Sequence, residues 1–319
     1  IIMDQQSTAC PICNYTTHFS FSGRDLMFNH YERYDYNQCT NCELVFQTPT
    51  PISERISEFY PTNYDIYEDQ SRLKKISLFR LSHLKKKFGY SHLENNWIAD
   101  LISPLINTFK NSSFEIPFIH NGALLDIGCG NGRFLNGMEQ LGWKVKGVEF
   151  NAGAVALCNK SNLDVFHGDL FSAKLADASF DIVNLSHVIE HVPDPKALFI
   201  EVARILKTNG LFVVKTPNSK ALGRVWFDTN WFANEVPRHL YLFSQKNLLE
   251  MGRSCNLEMT EMSTSSSPKI ILNSVDYVLR NDGKPSKKIW WRRLLTKPYI
   301  LLAKYKKRGD EIHAVFKKW

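Results

Sequence analysis

Apolar and polar positions change rhythm twice along the chain. From residue 122 to 217 short apolar runs alternate with segments whose apolar positions recur at helical spacing. Ala123–Ile127 reads as a buried strand and Arg133–Leu141 as a helix. Lys144–Glu149 is a second strand and Ala152–Ser161 a helix. Asp164–His167 and Asp181–Ser186 are the third and fourth strands. Ala197–Leu206 is a helix and Gly210–Thr216 the fifth strand. Such alternation with short connections predicts an α/β, Rossmann-like, doubly wound parallel sheet. Ahead of it, Glu43–Gln47 reads as a short strand stopped by Pro49 and Pro51, and residues 53–60 and 71–110 as helical. In the second helical stretch Leu73, Ile76, Phe79, Leu84 and Phe88 fall on one face, with Lys and Arg on the other. Residues 268–307 interrupt the sheet pattern with aromatic and basic helical text, and Glu311–Lys317 alternates like a last edge strand. The expected division is a module over 1–50, a helical connector over 51–118, and an α/β domain over 119–319 with a helical insertion at about 268–307.

The first module carries Cys10-Pro-Ile-Cys13 and Cys39-Thr-Asn-Cys42. A two-residue gap lets both thiolates of a turn point at one ion. Two such turns supply four sulfurs, which closes a structural zinc site and leaves no coordination position for chemistry. The 25 intervening residues are rich in aromatic and β-prone side chains and have room for a hairpin. Two disulfides are the competing reading. Residues 1–30 hold no apolar signal-peptide core, and Cys129, Cys158 and Cys255 have no evident partners, so zinc is preferred. The expected compartment is the cytoplasm.

After the first strand of the α/β domain comes Leu124-Leu125-Asp126-Ile127-Gly128-Cys129-Gly130-Asn131-Gly132. Glycines at alternate positions directly after a strand permit a tight turn and close approach of a ligand to the backbone. Dinucleotide folds use a similar loop, although pyrophosphate binders more often read GxGxxG. Asp126, two residues ahead of the first glycine, suits a ligand bearing an ammonium rather than a phosphate. Glu149 ends the second strand, where a carboxylate accepts both hydroxyls of a ribose. Asp169 follows the third strand and can accept from an adenine amino group. Each acid taken singly is better explained as a cap or a surface residue; the three together beside the glycine loop are not.

These motifs, with Phe180-Asp181-Ile182-Val183 and the segment 204–218, resemble the class I S-adenosylmethionine-dependent methyltransferases over roughly residues 119–265. The resemblance implies a seven-stranded sheet with an antiparallel final strand. It also implies a cofactor site lined by Asp126, Gly128, Gly130, Gly132, Glu149 and Asp169. The cysteine module, the turn at Phe59–Tyr64 and the segments 186–195 and 237–244 narrow the likeness. They resemble zinc-ribbon methyltransferases associated with bacterial sugar and surface-polysaccharide biosynthesis. The arrangement is also similar to the front two-thirds of sugar C-methyltransferases, which carry a further C-terminal domain not matched here. Methyl transfer to a hydroxyl or amine of a sugar, nucleotide sugar or glycan is therefore the expected activity.

Because a sulfonium donor is already activated, the enzyme has only to align the acceptor and remove its proton. His187, Glu190 and His191 follow the fourth strand, and His239 lies in Pro237-Arg238-His239-Leu240-Tyr241. Histidine suits proton removal near neutral pH. In the sugar-methylating relatives a histidine of the corresponding loop acts as base, which favours His239. A divalent metal on His187, Glu190 and His191 is the alternative chemistry, and plain packing the bland one. Trp226, Phe227, Trp231 and Phe232 are either a sugar-stacking wall or a lid core, and Asn218 is a weaker candidate for positioning substrate.

The chain has 319 residues, with 39 Lys+Arg against 32 Asp+Glu. The resulting +7 is local: residues 1–70 carry −7, 71–87 carry +7, 88–283 carry −3 and 284–319 carry +10. Two patches are thus expected instead of a basic protein. The stretch 284–308 mixes lysines and arginines with tryptophans and leucines. It is expected either to lie at an anionic membrane face, to hold phosphates of an activated or lipid-linked glycan, or simply to cover the sheet. An RNA methyltransferase gripping phosphates through these patches is the second functional reading, disfavoured by the acidic cysteine module.

Overall fold

In the computed structural model, residues 9–51, 53–60, 76–94, 116–280 and 292–319 are described. The strands in chain order are β1 (Thr17–Arg24), β2 (Arg33–Cys39), β3 (Val45–Thr48), β4 (Ala123–Ile127), β5 (Lys144–Glu149), β6 (Val165–His167), β7 (Phe180–Ser186), β8 (Leu206–Pro217), β9 (Tyr241–Leu242), β10 (Leu257–Ser265) and β11 (Glu311–Lys318). They form two sheets. One has four strands in the order β1-β2-β3-β9, and the other seven in the order β10-β11-β8-β7-β4-β5-β6. β4 pairs in parallel with both β5 and β7, and β5 with β6, as the alternating strand and helix text predicts. β11 is antiparallel to β10. The larger sheet is the Rossmann-like seven-stranded arrangement expected from the sequence.

Two expectations are corrected. Glu311–Lys318 is not an edge strand: it lies inside the sheet between β8 and β10. The edge is β10, whose Leu-Glu-Met-Thr-Glu-Met-Ser-Thr-Ser text is mostly polar and exposed. Edge strands are kept charged and polar because an apolar edge would recruit another chain, and this hides them from a search for buried strands. β8 starts four residues earlier than expected, directly after the helix Pro195–Ile205. The cysteine module's sheet is completed by β9, which pairs Val45 with Leu242 and Phe46 with Tyr241. The helical expectation over 71–110 is met over Leu78–Phe88; residues 71–75 and 95–110 lie outside the described residues.

The chain divides into two compact units. One holds residues 1–64, 186–203 and 213–319, the other residues 65–185 and 204–212. In the first, Phe21 stacks on Tyr36 with ring centroids 4.6 Å apart, inside a cluster with Val45, Val236 and Leu242. A second cluster gathers Leu222, Ile271, Tyr299 and Ala303 from three helices. The second unit is built on β4, β5, β6 and most of β7, with Leu124, Leu125, Leu135, Met138, Ile182 and Val183 fully buried. Among the described residues no helix is long and apolar enough to cross a membrane.

Candidate functional site

The glycine turn after β4 takes left-handed φ at Gly128, Gly130 and Gly132 (68°, 56° and 75°). A side chain is strained in that region of backbone space, which is why glycines stand there. At Gly132 a Cβ would come within 2.5 Å of Leu163 Cδ1 and 2.9 Å of Cys158 Sγ. The turn and its acids are tied together. Glu149 accepts from the Gly130 amide at 2.8 Å with one carboxylate oxygen and from the Asn151 amide at 2.9 Å with the other. Asp126 is buried and accepts from Asn184 Nδ2 at 2.7 Å. Burial, with some repulsion from Glu149, pushes the Asp126 carboxyl up to about 7. Asp169 is exposed, and its Oδ1 accepts from the Ser172 amide at 2.7 Å.

Carboxylates therefore stand at or just past the carboxyl ends of three adjacent parallel strands, beside a turn whose glycines are left-handed and whose Gly132 has no room for a side chain. This donor set repels a pyrophosphate and attracts a cationic ligand. Phe150 and Phe171, which follow Glu149 and Leu170, are 63% and 53% exposed. The residues fit a nucleoside sulfonium with an amino-acid tail. Asn184, Phe150 and Phe171 were not singled out from sequence. Asn184 lies 58 residues from Asp126, and no local pattern links them.

The other unit contains a buried network of histidines and carboxylates. Immediately after β7, His187 takes a left-handed φ of 57°, a strained conformation for a β-carbon residue. Its Nδ1 lies 3.3 Å from Glu190 Oε1 and its Nε2 2.9 Å from Glu311 Oε1, which also meets Lys215 Nζ at 3.1 Å. Burial alone would lower this imidazole, but the two carboxylates outweigh it and raise it to about 9. Burial likewise opposes the charge on Glu190 and Glu311, yet His187 holds both down at about 2. Glu190 is fully buried. Its Oε2 accepts from Thr216 Oγ1 at 3.0 Å, while Oε1 has no hydrogen bond.

His239 is buried in the same network. Its Nδ1 donates to the Ala233 carbonyl at 2.9 Å, because a carbonyl can only accept. This leaves Nε2 facing Glu235 Oε2 at 3.6 Å and Glu190 Oε1 at 3.9 Å. Burial pushes His239 down to about 4 despite those carboxylates. His191 is fixed the same way, with Nδ1 donating to the Arg238 carbonyl at 2.9 Å, and its ring lies 4.7 Å from that of His239. Ligand atoms of Glu190, His191 and His239 all lie within 4.8 Å of one another. Such a set can take a proton or a divalent cation. Its acids Asp25, Glu190, Glu235 and Glu311 outnumber its cations Arg238, His187 and Lys215 by one.

Arg238 sets the loop that carries His239. Its side chain is fully buried and reaches Asp25 at 2.7 and 3.2 Å and Glu235 at 3.3 Å. Tyr36 of β2 donates to the His239 carbonyl at 2.9 Å, and the Leu240 amide donates to the Glu190 carbonyl at 2.7 Å. Glu235 and Glu311 escaped the sequence reading, although Glu235 stands four residues before His239, a spacing that could have shown it. Asp25, 213 residues from Arg238, gives no local signal.

The four cysteines come together as their spacing predicts. Cys10 and Cys42 sulfurs are 3.6 Å apart, those of Cys13 and Cys39 3.4 Å, and all four lie within 4.8 Å. Disulfide sulfurs would be about 2.05 Å apart, and all seven cysteines are free. Metal–sulfur bonds of about 2.3 Å in a tetrahedron place sulfurs about 3.8 Å apart, close to what is seen. Asn14 and Glu43, each directly after the second cysteine of a pair, both turn left-handed, so the two turns are built alike.

Other sequence candidates separate. Trp231 is buried and donates to Asp310 Oδ1 at 3.1 Å, so it belongs to the core. Trp226 is 55% exposed and packs edge-on against Tyr299. Asn218 is buried and spends its side chain on the Gly309 carbonyl and the Lys220 amide, so it positions backbone.

A family model described as a methyltransferase domain matches residues 92–262. A Mycolicibacterium smegmatis protein named a probable S-adenosylmethionine-dependent methyltransferase is 34% identical over 140 residues, 43% of this chain and 52% of that protein. A ubiquinone biosynthesis O-methyltransferase of Idiomarina loihiensis is 30% identical over 148 residues, 42% of this chain and 61% of the relative. The chain thus spans between half and three-fifths of the length of these curated relatives. A solved S-adenosylmethionine-dependent methyltransferase from Archaeoglobus fulgidus aligns with 74% of this chain and 98% of its own, at 19% identity and a TM-score of 0.44.

Replacing Arg238 by Ala removes the cation that faces the buried Asp25 and leaves it only the Met27 and Phe28 amides. The expected loss of stability is about 3–5 kcal/mol in denaturant unfolding. Arg238→Lys should restore only part of it, since an ammonium cannot make the forked contact.

Proposed function

The chain belongs to the class I S-adenosylmethionine-dependent methyltransferases, and from that premise we propose that it moves the cofactor's methyl group to a hydroxyl oxygen of a sugar or glycan acceptor. The observation that carries the reading is the glycine turn bound to Glu149 through the Gly130 amide, with Asp126 buried beside it. When bound, the cofactor supplies an electrophilic methyl on sulfur. Asp126 takes the ammonium of its amino-acid tail, and Glu149 and Asp169 accept from ribose and adenine. His239 is the residue suited to take a proton from a hydroxyl, on Nε2, held in that tautomer by the Ala233 carbonyl. The carboxylates of Glu235 and Glu190 stabilise the imidazolium that results. A divalent cation on Glu190, His191 and His239 is the second chemistry open to the cluster, favoured by their mutual distance.

Support for an oxygen acceptor comes from relatives named for O-methylation in ubiquinone biosynthesis. Those names also make an acceptor from that pathway the competing substrate. The exposed face of Trp226 supports a sugar ring, which stacks on a flat apolar surface. The four thiolates of the cysteine module hold a structural zinc ion, with Cys39 Sγ further stabilised by the Asn41 and Cys42 amides.

Asp126→Ala and Glu149→Ala should each weaken cofactor binding in calorimetry by more than about tenfold, the loss expected for a hydrogen bond to charge. Unchanged binding in both would sink the reading. His239→Gln should lower kcat by about 10²–10⁴ while leaving cofactor affinity intact. Full activity in chelator would exclude the cation alternative. Methyl-labelled cofactor offered to glycan and quinone-precursor acceptors in parallel decides the substrate. Metal analysis should find one equivalent of zinc in the purified chain, and Cys39→Ser should lower both zinc content and melting temperature.

A further inference from the structure

The helical surface that ends the basic stretch has a composition the methyl-transfer reading does not use. Arg292–Leu295 and Lys297–Tyr305 are helices joined at Thr296, whose own backbone is helical (φ −83°, ψ −14°). Tyr299 and Ala303 face inward and are buried with Leu222 and Ile271. Leu294, Pro298, Leu301 and Tyr305 are exposed, and their spacing of four, three and four residues aligns them on one outward stripe. Leu294, Leu301 and Tyr305 are 50%, 62% and 85% exposed. An apolar stripe of that length on a helix is not explained by packing within this unit.

Charge flanks the stripe. Arg293, Lys297 and Lys304 are spaced by four and seven residues and are all exposed, on a line beside the apolar one. From 292 to 308 there are seven basic residues and no acid. Arg292 is committed to Asp276 at 2.8 Å, and Arg308 to the Lys220 carbonyl, so those two serve the fold. The Asp276 contact places this surface beside the last turn of the helix Pro268–Arg280, where Val278 and Leu279 are 53% and 72% exposed.

We propose that this face docks the protein on an anionic phospholipid surface, with Leu294, Leu301 and Tyr305 entering the interface and Arg293, Lys297 and Lys304 meeting phosphate headgroups. An apolar stripe bordered by lysine and arginine is the pattern of a helix lying in the plane of a bilayer. A nucleic acid would use the charges but would leave the aliphatic stripe in water, so the lipid is the better match to both features. A lipid surface would also bring membrane-borne acceptors within reach. The docking itself stands independently of the methyl-transfer reading, because it is measured without turnover.

The test is co-sedimentation of the full chain with vesicles of phosphatidylcholine alone and of phosphatidylcholine doped with phosphatidylglycerol. Binding is expected only with the doped vesicles and should weaken with added salt. Lys297→Gln combined with Lys304→Gln should cost about thirtyfold in vesicle affinity, the loss expected for two basic groups at such a surface. Leu301→Ser combined with Tyr305→Ser should weaken binding without lowering the melting temperature, since both side chains are exposed. Indifference to lipid charge, insensitivity to both double variants, or binding to transfer RNA with none to vesicles would each overturn the proposal.

Discussion

Taking a carboxylate out of water is costly unless donors or a counter-charge replace what water supplied. In the unit that holds the histidines, Asp25, Glu190, Glu235 and Glu311 are each buried or nearly so. Arg238, His187 and Lys215 compensate them; Arg238 and His187 are each placed by more than one acid or carbonyl, and Lys215 by Glu311. The left-handed backbone at His187, the loop bearing His239 and the end of β11 are therefore fixed together. Moving one would strand a charge on another. The four acids outnumber these three cations by one, which leaves the cluster with a net negative charge.

The other unit meets the same constraint with neutral donors. Glu149 is satisfied by two backbone amides and Asp126 by an asparagine amide. Neutral donors leave the negative charge uncancelled, so it remains available to a positively charged ligand. The raised Asp126 carboxyl expresses that need. A ligand ammonium would supply the missing counter-charge, and this links binding of a cationic cofactor to the stability of the glycine turn.

The cysteine module contributes more than a cluster of four thiols. β9, directly after His239, completes its sheet, and Tyr36 holds the His239 carbonyl. The loop carrying the proposed base is thereby anchored to the strands of that module. The module thus supports the loop that bears His239. Asp25 within it answers Arg238.

Local text was sufficient for much of this molecule. β4 and β5 begin and end where apolar alternation places them, the glycine turn follows from residue type, and the two CxxC pairs announce their own meeting. These are features in which the residues that interact are neighbours in sequence or repeat a fixed spacing. Tertiary structure decided what depends on distant partners. It placed β11 inside the sheet because polar β10 covers it. It assigned Trp231 and Asn218 to packing by giving their polar atoms to Asp310 and to backbone around Gly309. It joined Arg238 to Asp25 and Asn184 to Asp126 across 213 and 58 residues of chain. Periodicity records which face of an element avoids water. It carries no record of which buried charge will answer another, because that pairing is made only when the chain closes on itself.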